Sequence, residues 1–421
     1  MANDDDPSGG AAHRPRSYGA GSVYQLSDGR WRAALDAGYT RSGGRRRVTR
    51  TRATEREAKS ALAALRREAA RSGGTAPARA PTVRSWLAEH SEVVGRTRRS
   101  ASAASLRWAI THIVPVIGQR RLDAITASDI RAVHEAAFEA GLAVASVARV
   151  HGALRTALRA AVKEGHTVAP AALAVEGVGA PPRTRGAIPD DHLAALLQVL
   201  ERRDDGLRYI TQLHTGARAA EVTGLTWDRV DLDAGLITID RQLVRVARRE
   251  DGSLEVPRTM QYVPVHGTTI LAPLKAESGA RVVPVGEDLI RRLRGLLRAQ
   301  ESDPRAGERD AGSPDLIFTR TRARGTAVHI TRTYDQKTWR AIQDEAGVRH
   351  PSGRYFGTHE IRHTTATRLA RSGAPLSTIR AALGHTRVET SLRYQHPDQD
   401  DMRSALRDAL RDDQEGGPDG A

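Results

Sequence analysis

The chain has no cysteine. That excludes a disulfide framework, a thiolate zinc site and a cysteine nucleophile. Lysine is almost as scarce: Lys59, Lys163, Lys275 and Lys337 stand alone, and the rest of the 65 basic residues are arginines. Aromatics are 4% of the chain, although a hydrophobic content of 39% still supports real cores. No apolar run is long enough to span a membrane. The opening MANDDDPSGG is acidic and has no apolar core, so it does not read as a signal peptide. Acidic residues are outnumbered, leaving a formal net charge of +15. That balance favours a polyanionic partner, most simply nucleic acid. The composition fits a cytoplasmic protein of bacterial type, associated with the nucleoid.

A length of 421 residues suits two or three domains. Residues 1–16 are polar and read as disordered. Residues 17–72 read as three short strands and a helix. Val23–Leu26 and Trp31–Leu35 flank a Ser27-Asp28-Gly29 turn, and a third strand covers Arg46–Thr51. From Thr54 the pattern turns helical, with Ala58, Leu62 and Leu65 on one face. Trp31 and Tyr24 are expected to form the core of this small sheet. A Gly/Pro/Ala linker occupies 73–82.

Residues 83–171 read as all helix. Trp86 and Leu87 mark the first helix. Leu106, Ile110 and Ile113 mark a second, which should give way near Pro115 and Gly118. Ser128 is the expected cap of a third, and Val147, Val150, Leu154 and Leu158 stripe a fourth. Arg96, Arg98 and Arg99 precede the second helix and are candidates for phosphate contacts. A second linker spans 172–186. Residues 187–400 read as a mixed α+β domain, and 401–421 as an acidic tail. The fold class is therefore multidomain and mainly α with small β-sheets. The segment 249–273 is longer than a simple hairpin needs.

Chemistry concentrates between His359 and Tyr394. Gly373 and Pro375 end one helix there and Gly384 ends another. His359, Arg362 and His363 stand at i, i+3 and i+4, on one helical face. His385 follows Gly384, and Tyr394 comes nine positions later. Upstream, HTGARAAEVTGL supplies Arg218, with Glu221 one turn on. Two histidines, arginines and a tyrosine suit an anionic oxygen centre with a nucleophile beside it. Forked guanidiniums match paired phosphate oxygens and never deprotonate.

Arg218 in TGARAAE, His359-x-x-Arg362, His385 in LGH and then Tyr394 resemble the signature of tyrosine recombinases, the phage-integrase family. The resemblance spans roughly residues 18–400. It implies an arm-type DNA-binding domain at 17–72, a helical core-binding domain at 83–171 and a catalytic domain at 187–400. It implies Arg218 and Arg362 as the phosphate clamp, Glu221 as the support of Arg218, and Tyr394 as the nucleophile. His359 becomes the general base, and His385 a donor to a nonbridging oxygen. Lys275, in PLKAESGARVVPV, resembles the lysine that protonates the leaving 5′ oxygen. The family usually shows a small hydroxyl residue after that lysine, where this chain has Ala276. The implied activity is site-specific recombination through a 3′-phosphotyrosine, integrating or excising a phage or integrative element without metal or other cofactor. Implied partners are double-stranded DNA with core and arm sites, a tetramer of this chain on that DNA, and a host bending factor and an excision factor. Two rivals share parts of the reading: a type IB topoisomerase-like enzyme, which needs no second DNA address, and a DNA-binding regulator without catalysis.

HEIRH is also literally H-E-x-x-H, a zinc protease pattern. Zinc needs a third protein ligand, and Arg362 places a fixed positive charge within the pattern. DNA cleavage should therefore persist in EDTA. Loss of cleavage on chelation, restored by zinc, would make HEIRH a metal site.

Overall fold

The computed structural model of the chain describes residues 21–39, 45–71, 80–179, 186–276, 279–302, 314–321 and 327–384. These fall into two compact units, Met1–Val94 with Ser102–Ala180, and Gly95–Ala101 with Pro181–Ala421.

The first unit begins with an antiparallel sheet of β1 (Ser22–Gln25), β2 (Trp31–Tyr39) and β3 (Arg45–Arg52), followed by α1 (Glu55–Arg71). Gly29 takes a left-handed φ of +82° and its N–H closes the β1–β2 turn onto Leu26. Thr54 caps α1 by accepting from Glu57 N–H, while the Glu57 carboxylate accepts from Thr54 N–H. Ala58, Leu62 and Leu65 are buried, as their spacing predicts. The core that they meet differs from expectation. It is aliphatic, built from Ala33, Leu35, Ala61, Leu62 and Leu65 with Val23 and Val48 against it. Tyr24 is exposed and Trp31 only half-buried. Alternation along β1 puts Val23 inward and Tyr24 outward.

The helices that follow are α2 (Val83–Thr97), α3 (Ser100–Ile117), α4 (Ala127–Glu139), α5 (Val144–Lys163) and the short α6 (Pro170–Leu173). Val83, Trp86, Ile113, Ile130, Val150 and Leu154 share one core. Pro115 lies inside α3, and the helix ends at Ile117, just before Gly118. One detail corrects the sequence reading. The cap of α4 is Thr126, reciprocated by Asp129, so Ser128 is already helical. Ala172 is buried in the same core, so its packing continues past residue 171.

The second unit starts with α7 (Asp190–Arg202), α8 (Leu207–Thr215) and α9 (Ala219–Val222). Next come β4 (Val230–Asp231), β5 (Leu236–Ile239), β6 (Arg241–Arg245), β7 (Val263–His266), β8 (Thr269–Pro273) and β9 (Arg281–Pro284). Helix α10 (Glu287–Glu301), the hairpin β10 (Thr319–Thr321) and β11 (Ala327–His329), and helices α11 (Arg332–Glu345), α12 (Thr358–Arg371) and α13 (Leu376–Leu383) complete it. The run LITIDRQLVRV is not one strand: β5 pairs with β4 and β9, whereas β6 pairs with β8. The chain changes sheets at Asp240. The long 249–273 segment folds as a tight turn, with Arg249 N–H donating to Ser253, and then as the β7–β8 hairpin. Leu254, Val256 and Met260 pack on Val246, Ile270 and Ala272. The central core joins Leu196, Ile210, Val222, Ile237, Leu289, Ile342 and Ile361. No described helix is long and apolar enough to cross a membrane.

Trp86 is 1% exposed, and its indole N–H donates to the Ala157 carbonyl at 2.9 Å. Trp86→Phe leaves that bond unmade and the pocket underfilled, at a cost of about 1–3 kcal/mol. Urea unfolding should show an earlier transition, and an unchanged midpoint would contradict this anchor.

Candidate active site

Helix α8 ends at Gly216, whose φ of +60° is left-handed. A side chain there would be strained, and a Cβ would come within 2.5 Å of Leu383 Cδ2. The chain turns sharply after Gly216, buries Ala217, and presents Arg218 at the start of α9. Arg218 binds Glu221 twice: its backbone N–H reaches Oε2 at 3.0 Å and its Nη1 reaches Oε1 at 2.6 Å. The Arg218 side chain is 44% exposed, while that of Glu221 is 1% exposed. The carboxylate thus holds the guanidinium from below.

A second arginine meets the same carboxylate. Arg281, at the start of β9, donates from Nη2 to Glu221 Oε2 at 2.9 Å. It also donates from Nε to Ala382 O at 2.7 Å and from Nη1 to Gly279 O at 3.1 Å. Burial alone would push the Glu221 pKa up. Arg281, the Arg218 N–H and the Arg218 guanidinium outweigh it and hold the carboxyl below its ordinary value of 4.5. Burial lowers the Arg281 pKa, but a guanidinium is basic enough to stay charged at neutral pH. Arg281 was not singled out in the sequence. Its signal was weak: one arginine among many, beginning the strand RVVP.

Arg362, on α12, is 2% exposed. Its Nη1 donates to Gly216 O at 2.8 Å and its Nη2 donates to Leu383 O. Both carbonyls close helices, where backbone acceptors lack helical partners and the dipole is negative. One guanidinium therefore ties the ends of α8 and α13 together. Thr365 on α12 donates to Leu213 O at 2.7 Å, tightening the same junction.

His359 is exposed on the first turn of α12, and His363 is half-buried. Their rings meet edge to face, 4.9 Å between centroids, as the i, i+4 spacing predicts. Buried Gln212 draws this turn towards Arg218. Its amide donates to Ala217 O at 3.2 Å and to Thr358 O at 3.0 Å. Those are the residues just before Arg218 and just before His359, so one side chain registers the two motifs. Gln212 too went unnoticed in the sequence.

Glu360, between the two histidines of HEIRH, faces the protein. Arg354 clamps both its oxygens, at 2.6 and 2.8 Å, and Gly357 N–H donates to Oε2 at 2.6 Å. Its carboxylate is thus spent on the start of α12. Among the described residues, no group of three His, Asp or Glu side chains is placed to hold a metal ion.

Lys275 is exposed on the connection from β8 to β9. These strands lie in different sheets, so the lysine loop bridges two sheets and does not close a simple hairpin. The loop returns through Gly279 beside the end of α13. A Cβ on Gly384, which has φ +63°, would sit 2.8 Å from Gly279 O and 3.0 Å from Arg281 Nη1. Only glycine fits there. His385 and Tyr394 lie outside the described residues; His385 is the next residue after Gly384.

The phage integrase family model matches residues 188–401, just over half of the chain. The chain belongs to this family. It is thereby a tyrosine recombinase, the enzyme class that its relatives carry in name. An integrase of Saccharopolyspora erythraea is 26% identical over 432 residues, covering 93% of this chain and 96% of that protein. A XerC-like tyrosine recombinase of Caldanaerobacter subterraneus subsp. tengcongensis is 25% identical, over 49% of each chain. Among solved structures, a Tn1549 transposon integrase in complex with a circular intermediate DNA matches with a TM-score of 0.61 at 17% identity, covering 78% of this chain and 100% of that one. A lambda integrase tetramer bound to a Holliday junction matches at 0.51 and 16% identity, covering 91% and 96%. These two likenesses establish the multidomain fold, mainly helical with small sheets.

Breaking the buried centre of this recombinase should be costly. Glu221→Gln leaves two cations around a neutral amide, and loss of one partner of a buried pair costs about 3–5 kcal/mol. The native Glu221 pKa is depressed, so its stabilisation is complete above the ordinary carboxylate range. It is lost as pH falls through the lowered folded value. Thermal melts against pH should show Glu221→Gln less stable at neutral pH, with a flatter loss of stability below pH 4.5. Parallel curves for the two proteins would remove Glu221 from this role.

Proposed function

We propose that the chain cuts and rejoins DNA through a 3′-phosphotyrosine, as a site-specific recombinase that integrates or excises a phage or other integrative element. The observation that carries this reading is the Arg218–Glu221–Arg281 cluster, with Arg362 tying together the helix ends at Gly216 and Leu383. A phosphodiester gains negative charge on its nonbridging oxygens as a fifth ligand enters. Preorganised cations stabilise that charge without reorganising during the step. Arg218, exposed and braced by Glu221, meets those oxygens. Arg362 brings a second fixed charge to the same corner, and His385 adds a donor.

Tyr394 Oη attacks phosphorus and the P–O5′ bond breaks. The phenol, with an ordinary pKa of about 10, passes its proton to His359, and Lys275 protonates the departing 5′ oxygen. The phosphotyrosine conserves the bond energy. A partner strand's 5′ hydroxyl then attacks phosphorus and passes its proton to Lys275, while the bond to Tyr394 Oη breaks and His359 returns its proton to the phenol. No metal or organic cofactor enters this scheme. Exchange of both strands at two sites needs four nucleophiles, hence a tetramer of this chain on DNA. The lambda integrase tetramer on a Holliday junction supports that reading.

The remaining assignments follow from it. Residues 17–72, with the arginine-rich β3, read arm sites on DNA, and 83–171 grip the core site. A host bending factor and an excision factor complete the assembly, in the cytoplasm of a bacterium and on its nucleoid. A type IB topoisomerase-like activity would relax supercoils without joining two sites.

Tyr394→Phe tests the chemistry. The ring stays and only the attacking oxygen goes, so specific DNA binding should persist. Covalent adduct should vanish on a nicked duplex carrying the junction sequence at which the element's ends recombine, read on a denaturing gel. A persisting adduct would assign the nucleophile elsewhere.

A further inference from the structure

The turn between α2 and α3, Gly95–Ala101, groups with the second unit. Two residues fasten it there. Ser100 is 6% exposed; its Oγ donates to Glu255 Oε2 at 3.0 Å and accepts Ala247 N–H at 2.9 Å. Arg249 reaches back from the same 246–256 hairpin to the Gly95 carbonyl at 3.4 Å. Beside Ser100, Arg99 takes a different direction. Its Nη1 donates to Pro273 O at 3.0 Å and its Nη2 to Leu274 O at 2.5 Å. Those are the last two carbonyls before Lys275.

The position of that fork matters because of what ends there. Strand β8 is held residue by residue against β6 as far as Pro273. Leu274 N–H still reaches Asp240 O at 3.2 Å. Beyond it, among the described residues, the next strand pairing begins at Arg281 in β9. Lys275 stands at the first position past the sheet, exposed, on a stem with four rotatable bonds. A proton donor must lie within about 3 Å of its acceptor. The backbone beneath the lysine therefore needs an anchor, and the Arg99 guanidinium holds the two peptide planes leading into it. Arginine suits this task, because its planar fork presents two N–H groups at fixed spacing. Both terminal nitrogens of Arg99, a candidate for phosphate contacts, donate here to protein carbonyls.

We propose that Arg99 is a positioning residue for Lys275, fixing the end of β8 so that the lysine ammonium meets the leaving 5′ oxygen. This rests on the reading of Lys275 as proton donor. It makes the α2–α3 turn part of the cleavage apparatus.

The test uses the full chain and two nicked duplexes of the junction sequence. One carries an ordinary phosphodiester, the other sulfur at the bridging 5′ position. A thiolate leaves without a proton, so sulfur bypasses the lysine. Lys275→Ala should cleave ordinary DNA about 10²- to 10⁴-fold slower and the sulfur duplex near the parent rate. Arg99→Ala should follow the same pattern more mildly, about 10- to 100-fold slower on oxygen, the scale of a small misplacement, and near the parent rate on sulfur. Its DNA affinity and salt dependence should match the parent. The sulfur-to-oxygen rate ratio does not depend on the fraction of folded protein, so Arg99→Gln serves if Arg99→Ala is unstable. If Lys275→Ala is rescued but Arg99→Ala is not, or is not slowed, the positioning role is overturned. If Lys275→Ala itself is not rescued, the proton-donor reading fails first. A salt slope lowered by about one unit would make Arg99 a phosphate contact and overturn the proposal likewise.

Discussion

A single buried carboxylate organises the catalytic unit. Glu221 is enclosed by the protein and accepts from Arg218 on one side and Arg281 on the other. An unpaired carboxylate at that depth would take up a proton. Two guanidiniums and a backbone N–H keep it ionised, and it in turn makes a dense cluster of positive charge tolerable. Without it, Arg218 and Arg281 would repel each other across a medium that screens poorly. The carboxylate supplies two things at once: a direction for Arg218, and the electrostatic permission for several arginines to share one corner. Positive charge is therefore assembled in that corner in advance.

The same corner is where helix ends converge. Arg362 binds the closing carbonyls of α8 and α13, and Arg281 binds Ala382 one residue from the end of α13. Gly216 and Gly384 supply the left-handed turns that let those ends approach, and neither position has room for a Cβ. Ala366, Ile379 and Leu383 pack α12 against α13 behind them. Polar ties at the front and apolar packing at the back leave the helix ends little freedom. Gln212 then fixes the first turn of α12 to the Arg218 turn. Catalytic groups from segments far apart in sequence are held in register by side chains with no chemistry of their own.

Much of this was legible in the residues. Glycine at left-handed helix ends, the i, i+4 histidines, the α1 face of Ala58, Leu62 and Leu65, and the Arg218–Glu221 spacing are local, and local geometry is written in spacing. The small sheet shows where that stops. Trp31 and Tyr24 were the largest apolar residues in reach, yet strand alternation and the facing helix selected Ala33 and Leu35 for the core. Thr126 displaced Ser128 as a cap because Asp129 reciprocates only with the residue three before it. HEIRH fits two motif patterns, and only the fold places Arg354 on Glu360.

By itself, the sequence determined the chemical inventory: arginine in place of nearly all lysine, no thiol, and the order of the motifs that mark the family. These depend on residue identity and on separations of a few positions. Only the tertiary structure decided that Arg281 shares the Glu221 carboxylate, that Gln212 couples the Arg218 motif to the His359 motif, and that Arg99 binds the carbonyls of Pro273 and Leu274 before Lys275. Each is a contact between distant segments, and no periodicity encodes such a contact. An arginine in this chain looks like every other arginine until folding gives it a carboxylate or a carbonyl to bind.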